Sequence, residues 1–307
     1  MKIPLSGTRF DLVHGDYFAS IASVGATLRT LRHGERDLIV PFAANEVRPA
    51  YRGAILAPWP NRVVDGRYSF AGAKHQLSLT EPQRSHALHG LVAWLDFVAV
   101  EQSKERVVLS ATIEAQAGYP FRLRLDVSYD LDEAGLHTVV TARNTGQDAA
   151  PFGTGPHPYL VAGEGTNNDW TLTLPASQVL TVTADRLLPL SIADVGTQAG
   201  GAFDFRAPRV IGSTFIDHAF TALARDTGGM TEVRVVAPSG TGVAMSWDDS
   251  CPWVQVHTAD QIDLVIDRIG LAVEPMTCPP DAYNSGTHLI VIDPGQSSHA
   301  SWTITAL

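Results

Sequence analysis

The chain has 307 residues, 45% of them hydrophobic and 18% charged, with a formal net charge of -10 at pH 7. That is enough apolar material for a sizeable core, which excludes disorder. The acidic balance argues against nucleic acid, whose phosphates need a basic surface. No run of eighteen apolar residues is present to span a membrane. The opening MKIPLSGTRFDLVHG has a proline, a glycine and polar residues where a secretory leader needs an apolar stretch. A cytoplasmic protein with no nucleic-acid or membrane partner is therefore expected. Cys251 and Cys278 are too few for a disulfide framework and are expected to be small buried thiols.

In chain order, the first clear punctuation is Asp65-Gly66 ahead of RYSF, a hairpin-turn pair. FRLRLDVSYD, Phe121 to Asp130, alternates apolar and polar residues at every step, the period of a strand with two distinct faces. Glu133-Ala134-Gly135 then reads as a turn, and WTLTLP from Trp170 as a further strand. The best helical candidate, around Ser191 to Val195, is shorter than two turns and reads as a loop or a single turn. VRVVAP from Val233 and VAMSWD from Val243 flank the turn Pro238-Ser239-Gly240. WVQVHT from Trp253, LIVIDP from Leu289 and SWTITAL from Ser301 complete a series rich in Val, Ile, Thr and Trp. Glycine (26) and proline (19) are spread throughout rather than gathered in a linker, so residues 1–307 read as one domain. No fixed-length repeat suggests a propeller or solenoid. The expectation is an all-β chain forming a large sandwich or barrel.

Several stretches carry more polar chemistry than a plain sandwich needs. Asn61 and Arg62 follow Pro58-Trp59-Pro60, where the prolines restrict the chain and aim the side chains after them. HALHGL holds His86 and His89, GTGPHPYL holds His157 between prolines, and IDHAF holds Asp217 and His218. In AVEPMTCPP, Glu274 ends an apolar strand just before Pro275. Each has a blander reading: a polar loop, a hydrogen-bonded loop histidine, a turn cap, or an exposed strand end. His86 and His89 lack the third ligand and the spacing of a zinc motif. No GxSxG elbow, P-loop, GxGxxG turn or HExxH is present, and no cofactor is implied. Asp217 and Glu274 stay open as a glycosidase-type carboxylate pair, because such acids need no proximity in sequence.

Taken in order, PNRVVDGRYSFAG, HALHGL, GPHPYL, DHAF, VEPMTCPPDAYNSG and IDPGQ resemble the aldose 1-epimerase (galactose mutarotase) family, over most of the chain. The Leu-His-Gly-Leu and Glu-Pro-Met-Thr-Cys-Pro-Pro wording is most similar to a bacterial subgroup that includes sulfoquinovose mutarotase-like proteins. The resemblance implies an all-β, single-domain β-supersandwich with an open sugar cleft, acting on a monosaccharide. It makes Glu274 the general base and His157 the general acid, with Asn61, Arg62, His89 and Asp217 binding the sugar. The chain departs from the family in carrying His86 where asparagine is frequent, which leaves the role of His86 open. Trp253 and Trp59 are the candidates for an aromatic sugar platform, with core packing as the alternative. Arg48, Arg52 and Arg84 are candidates for an anion pocket if the sugar is a sulfosugar or a sugar phosphate, with ordinary surface arginines as the commoner reading. A non-catalytic sugar-binding or sensor domain is the competing class.

Overall fold

The computed structural model describes residues 3–263 and 265–307. Strands dominate it, and the longest are where alternation is cleanest. In Leu123–Asp132 every second side chain from Leu123 to Leu131 is buried. The strand pairs without interruption with Gly135–Asn144, from Leu123↔Asn144 to Asp132↔Gly135. At the turn, Asp132 Oδ1 accepts the Ala134 amide at 2.8 Å, a local bond that favours chain reversal there.

These two strands belong to a nine-stranded antiparallel sheet. Its order is Val98–Gln102, Arg106–Ile113, Leu123–Asp132, Gly135–Asn144, Ser297–Ala306, Gly242–Trp247, Thr231–Val236, Thr171–Thr173, Arg209–Val210. A second sheet has six strands in the order Tyr159–Leu160, Leu271–Met276, Trp253–His257, Asp217–Leu223, Ala176–Val182, Pro189–Asp194. A four-stranded meander, Arg9–His14 to Arg36–Asp37, precedes both. Side chains of all three sheets join one hydrophobic cluster running from Phe10 to Ile304. This is the all-β sandwich expected of the alternating pattern.

Two expectations are corrected. The stretch around Ser191 to Val195 is not a loop or a helical turn, because Pro189–Asp194 is an edge strand with Ile192 opposite Leu180. Leu190 and Ile192 are exposed there, so no buried face marks it in the sequence. Glu274 does not end its strand, because Leu271–Met276 runs through Pro275. On one side of that strand the Val273 and Thr277 amides donate to Pro158 and Thr154. The amide that Pro275 lacks falls between them, where the pairing with Tyr159–Leu160 has already stopped at Ala272. A proline is tolerated at such a break in the ladder. Among the described residues the one α-helix is the single turn Ala282–Ser285. No helix there is long and apolar enough to cross a membrane.

The six-stranded sheet has two unlike faces. Val179, Phe220, Val254, Val256, Leu271 and Val273 join the main core. The alternate residues form a second face, with register pairs Asp217↔His257, Gln255↔Glu274, His257↔Ala272 and Tyr159↔Ala272. Two small apolar clusters lie along it, one around Tyr159 and Ala272 and one around Trp253 and Met276. Between them runs a row of polar side chains.

Candidate active site

That polar row is the floor of a cleft of about 320 Å³ lined by Asn61, Arg62, His89, His157, Asp217 and Glu274. The structure thus brings together the residues that the sequence offered separately. Asp217, Gln255 and Glu274 come from neighbouring strands of the floor. Asn61, Arg62, His89 and His157 come from the segments above it.

Glu274 is 1% exposed, and its Oε1 lies 3.5 Å from His157 Nε2. His157 is fixed through its backbone: its amide donates to Ala54 O at 3.0 Å, and its carbonyl accepts the Gly53 amide at 2.8 Å. Its ring lies nearly parallel to Tyr159, with centroids 5.2 Å apart, and to Tyr51 at 6.4 Å. His89 meets it edge-on at 5.0 Å. Burial, reinforced by His89 and His257, pushes the His157 imidazole well below its usual range. Burial, with Asp217 nearby, pushes the Glu274 carboxyl well above its own, against the pull of Arg62. Both shifts favour the uncharged form of their group.

His89 Nδ1 donates to Pro60 O at 2.8 Å, which leaves Nε2 as the acceptor of a neutral ring. Burial holds its pKa at about 4, against an ordinary 6.5. A histidine depressed in this way binds fewer protons folded than unfolded, so stability is lost as pH falls from 6.5 towards 4. The 2.5-unit difference between those two values corresponds to at most about 3 kcal/mol. Thermal melts from pH 7 to pH 4 should show this loss, and His89→Gln should flatten the slope. The loop carrying His89 also needs Gly90, whose φ is +73° and whose missing Cβ would lie 2.0 Å from Ala57 O. Gly90→Ala is expected to destabilise the fold by more than about 1 kcal/mol and to displace His89. Paired melting and sugar-binding measurements would register both effects.

Asp217 Oδ1 accepts Gln255 Nε2 at 2.7 Å. Arg62 is gripped by Glu81, with Nε to Oε2 at 2.7 Å and Nη2 to Oε1 at 3.0 Å. Asn61 Oδ1 accepts the Arg62 amide at 2.9 Å. Among the described residues Glu274 Oε2, His157 Nδ1 and Gln255 Oε1 are buried without a hydrogen-bond partner. Leaving such groups unpaired costs about 1–3 kcal/mol each. No cluster of His, Cys, Asp or Glu among the described residues is arranged to hold a metal ion.

The aromatic candidates are corrected. Trp253 and Trp59 are buried, with Nε1 donating to His288 Nδ1 at 2.8 Å and to Ala87 O at 3.2 Å, and neither lines the cleft. Tyr51, Tyr159 and Phe215 line it instead. His86 lies outside the cleft, fully buried with Nε2 2.8 Å from Arg186 O. Of the arginine candidates only Arg84 reaches the cleft. Arg48 is buried and donates to the carbonyls of Val24 and Ala93. Cys251 and Cys278 are buried, each thiol pushed up to about 12. Sequence reasoning missed Glu81, Gln255, His257 and Asp260. The polar steps in WVQVHT pointed to two of them, since Gln255 and His257 share the face of Glu274.

The aldose 1-epimerase family profile matches residues 9–305. Protein YihR of Escherichia coli K12, itself uncharacterized, is 35% identical over 292 residues, covering 95% of this chain and 91% of that one. The aldose 1-epimerase of the same organism is 26% identical over 239 residues, 69% of this chain and 66% of its own. Among solved structures, galactose 1-epimerase from Lactobacillus acidophilus NCFM superposes with a TM-score of 0.78 at 20% identity, covering 95% and 91% of the two chains. With this cleft, this fold and a family match spanning nearly its whole length, the chain belongs to the aldose 1-epimerase family.

Proposed function

We propose that the protein is a mutarotase, interconverting the α and β anomers of a free aldose by acid–base ring opening and reclosure, with residues 1–307 working as one domain. The observation that carries this reading is the buried contact of 3.5 Å between His157 Nε2 and Glu274 Oε1. The anomeric hydroxyl and the ring oxygen are both bonded to C1. A base for one and an acid for the other must therefore converge on a single small region, as this pair does.

In the forward direction the Glu274 carboxylate takes the proton of the anomeric hydroxyl as the bond from C1 to the ring oxygen breaks. The His157 imidazolium gives its proton to the departing ring oxygen. The resulting aldehyde turns about C1–C2 and presents its other face. The C5 hydroxyl then attacks C1, returning its proton to His157, while Glu274 returns its proton to O1. Protons balance within the cycle, so no exchange with solvent is needed. Burial disfavours the ion pair from which this cycle starts, and hydrogen bonds from the bound sugar would favour it. Asn61, Arg62, His89 and Asp217 anchor the sugar hydroxyls and ring oxygen in this scheme. Each acid–base group is worth about 10²–10⁴-fold.

Pure sugar binding explains the hydroxyl anchors but gives no reason to bury an acid–base pair beside them. A rate panel over α-glucose, α-galactose, glucose 6-phosphate and sulfoquinovose, followed by polarimetry or NMR exchange, tests the reading. Acceleration of at least one sugar is expected. Binding without acceleration of any of them would leave a binding or sensor protein, and reducing ends released from glycosides would indicate a hydrolase using Asp217 and Glu274. Rates confined to the anionic sugars would assign Arg84, at the cleft wall, to their charge.

A further inference from the structure

Glu81 is a carboxylate that the proton-transfer scheme does not use, yet it is only 4% exposed. It closes a tight loop, its amide donating to His86 O at 3.0 Å and its carbonyl accepting the amides of Arg84 and His86. Both side-chain oxygens are spent on guanidinium groups. Oε2 takes Arg62 Nε at 2.7 Å, and Oε1 takes Arg62 Nη2 at 3.0 Å and Arg84 Nη1 at 2.8 Å. A two-point grip of this kind fixes the plane of the guanidinium as well as its position. Nη1 of Arg62 donates to Asn61 Oδ1 at 3.4 Å, and both residues line the cleft.

Arg62 also lies within the electrostatic reach of Asp217 and Glu274. Those two carboxyls are the alternative partners it would meet if released. Tyr51 and His89 also lie within the electrostatic reach of Glu81, and Asp217 and Tyr159 within that of Glu274, which His157 contacts. We infer that Glu81 is a positioning residue that holds Arg62 off the cleft carboxyls, so that Nη1 meets a sugar hydroxyl and Glu274 stays free for the anomeric proton. This rests on the mutarotase reading above.

The test uses Glu81→Gln, Arg62→Gln and the double variant, assayed for anomerisation across pH and sugar concentration. Glu81→Gln should raise KM about tenfold or more while plateau kcat stays within about threefold. Uncompensated, the Arg62 charge favours ionised Glu274, so the rate profile should move to lower pH by about one unit. In the Arg62→Gln background the same change should add less than about threefold in KM and leave the profile in place, because its target is gone. The double variant also removes the buried unpaired cation that could prevent Glu81→Gln from folding. Additive losses, or an unmoved profile with kcat falling, would overturn the inference. A wild-type protein that accelerates no sugar would overturn the mutarotase reading instead, and the wild-type assay reads that separately.

Discussion

Glu274→Gln is expected to slow anomerisation by about 10²–10⁴-fold while leaving the fold intact. The amide matches the carboxyl in shape but cannot take the proton of the anomeric hydroxyl. Folding should not suffer, for a reason specific to this site. Burial pushes the Glu274 carboxyl well above its ordinary 4.5. A group whose folded pKa is raised stabilises the fold most below the unfolded value, and that contribution disappears as pH climbs through the folded one. Glutamine has no such dependence, so at pH 8 the variant should melt no lower than the parent. Melting curves at pH 6 and pH 8, run beside polarimetry, separate the two effects. A near-wild-type rate would remove Glu274 from the mechanism.

His157→Asn should cost a comparable factor and change the shape of the pH profile. In the parent, activity needs one proton on the pair, so the rate falls both when a second is added and when the first is lost. With asparagine only Glu274 still titrates. The residual rate should rise with pH to a plateau, and the alkaline limb should vanish. A bell that survives in this variant would mean that another group of the cleft supplies the acid.

Much of the scaffold was legible because alternation is a direct imprint of a two-faced strand. Leu123–Asp132, Gly242–Trp247 and Trp253–His257 lie close to where the pattern put them. Pro189–Asp194 was not legible, since an exposed edge strand buries too little to leave a period. The depth of Glu274 was hidden too. A glutamate before a proline reads as a strand end, and only the neighbouring ladder reveals why the strand continues. The candidate residues themselves came from the order of short motifs along the chain. Glu81 belongs to no such motif, and its grip on Arg62 depends on a loop closure that composition does not signal. For Trp253 the core-packing alternative holds: it shares the cleft-side parity of its strand, but Leu180, Ala219 and Met276 cover it.

The floor of the cleft is read on both sides: Val273 faces the core and Glu274, its neighbour, faces the cleft. A one-residue insertion or deletion within Leu271–Met276 would exchange the two, placing a carboxyl among hydrocarbons and a valine in the cleft. No compensating substitution nearby repairs that, so length there is effectively frozen. The segments carrying Asn61, His89 and His157 are anchored too, by backbone hydrogen bonds and by Trp59, Val63, Ala87, Phe152 and Leu160 in the main core. A change of sugar preference would therefore come more readily by substitution at cleft-facing positions of the floor than by a change in its length.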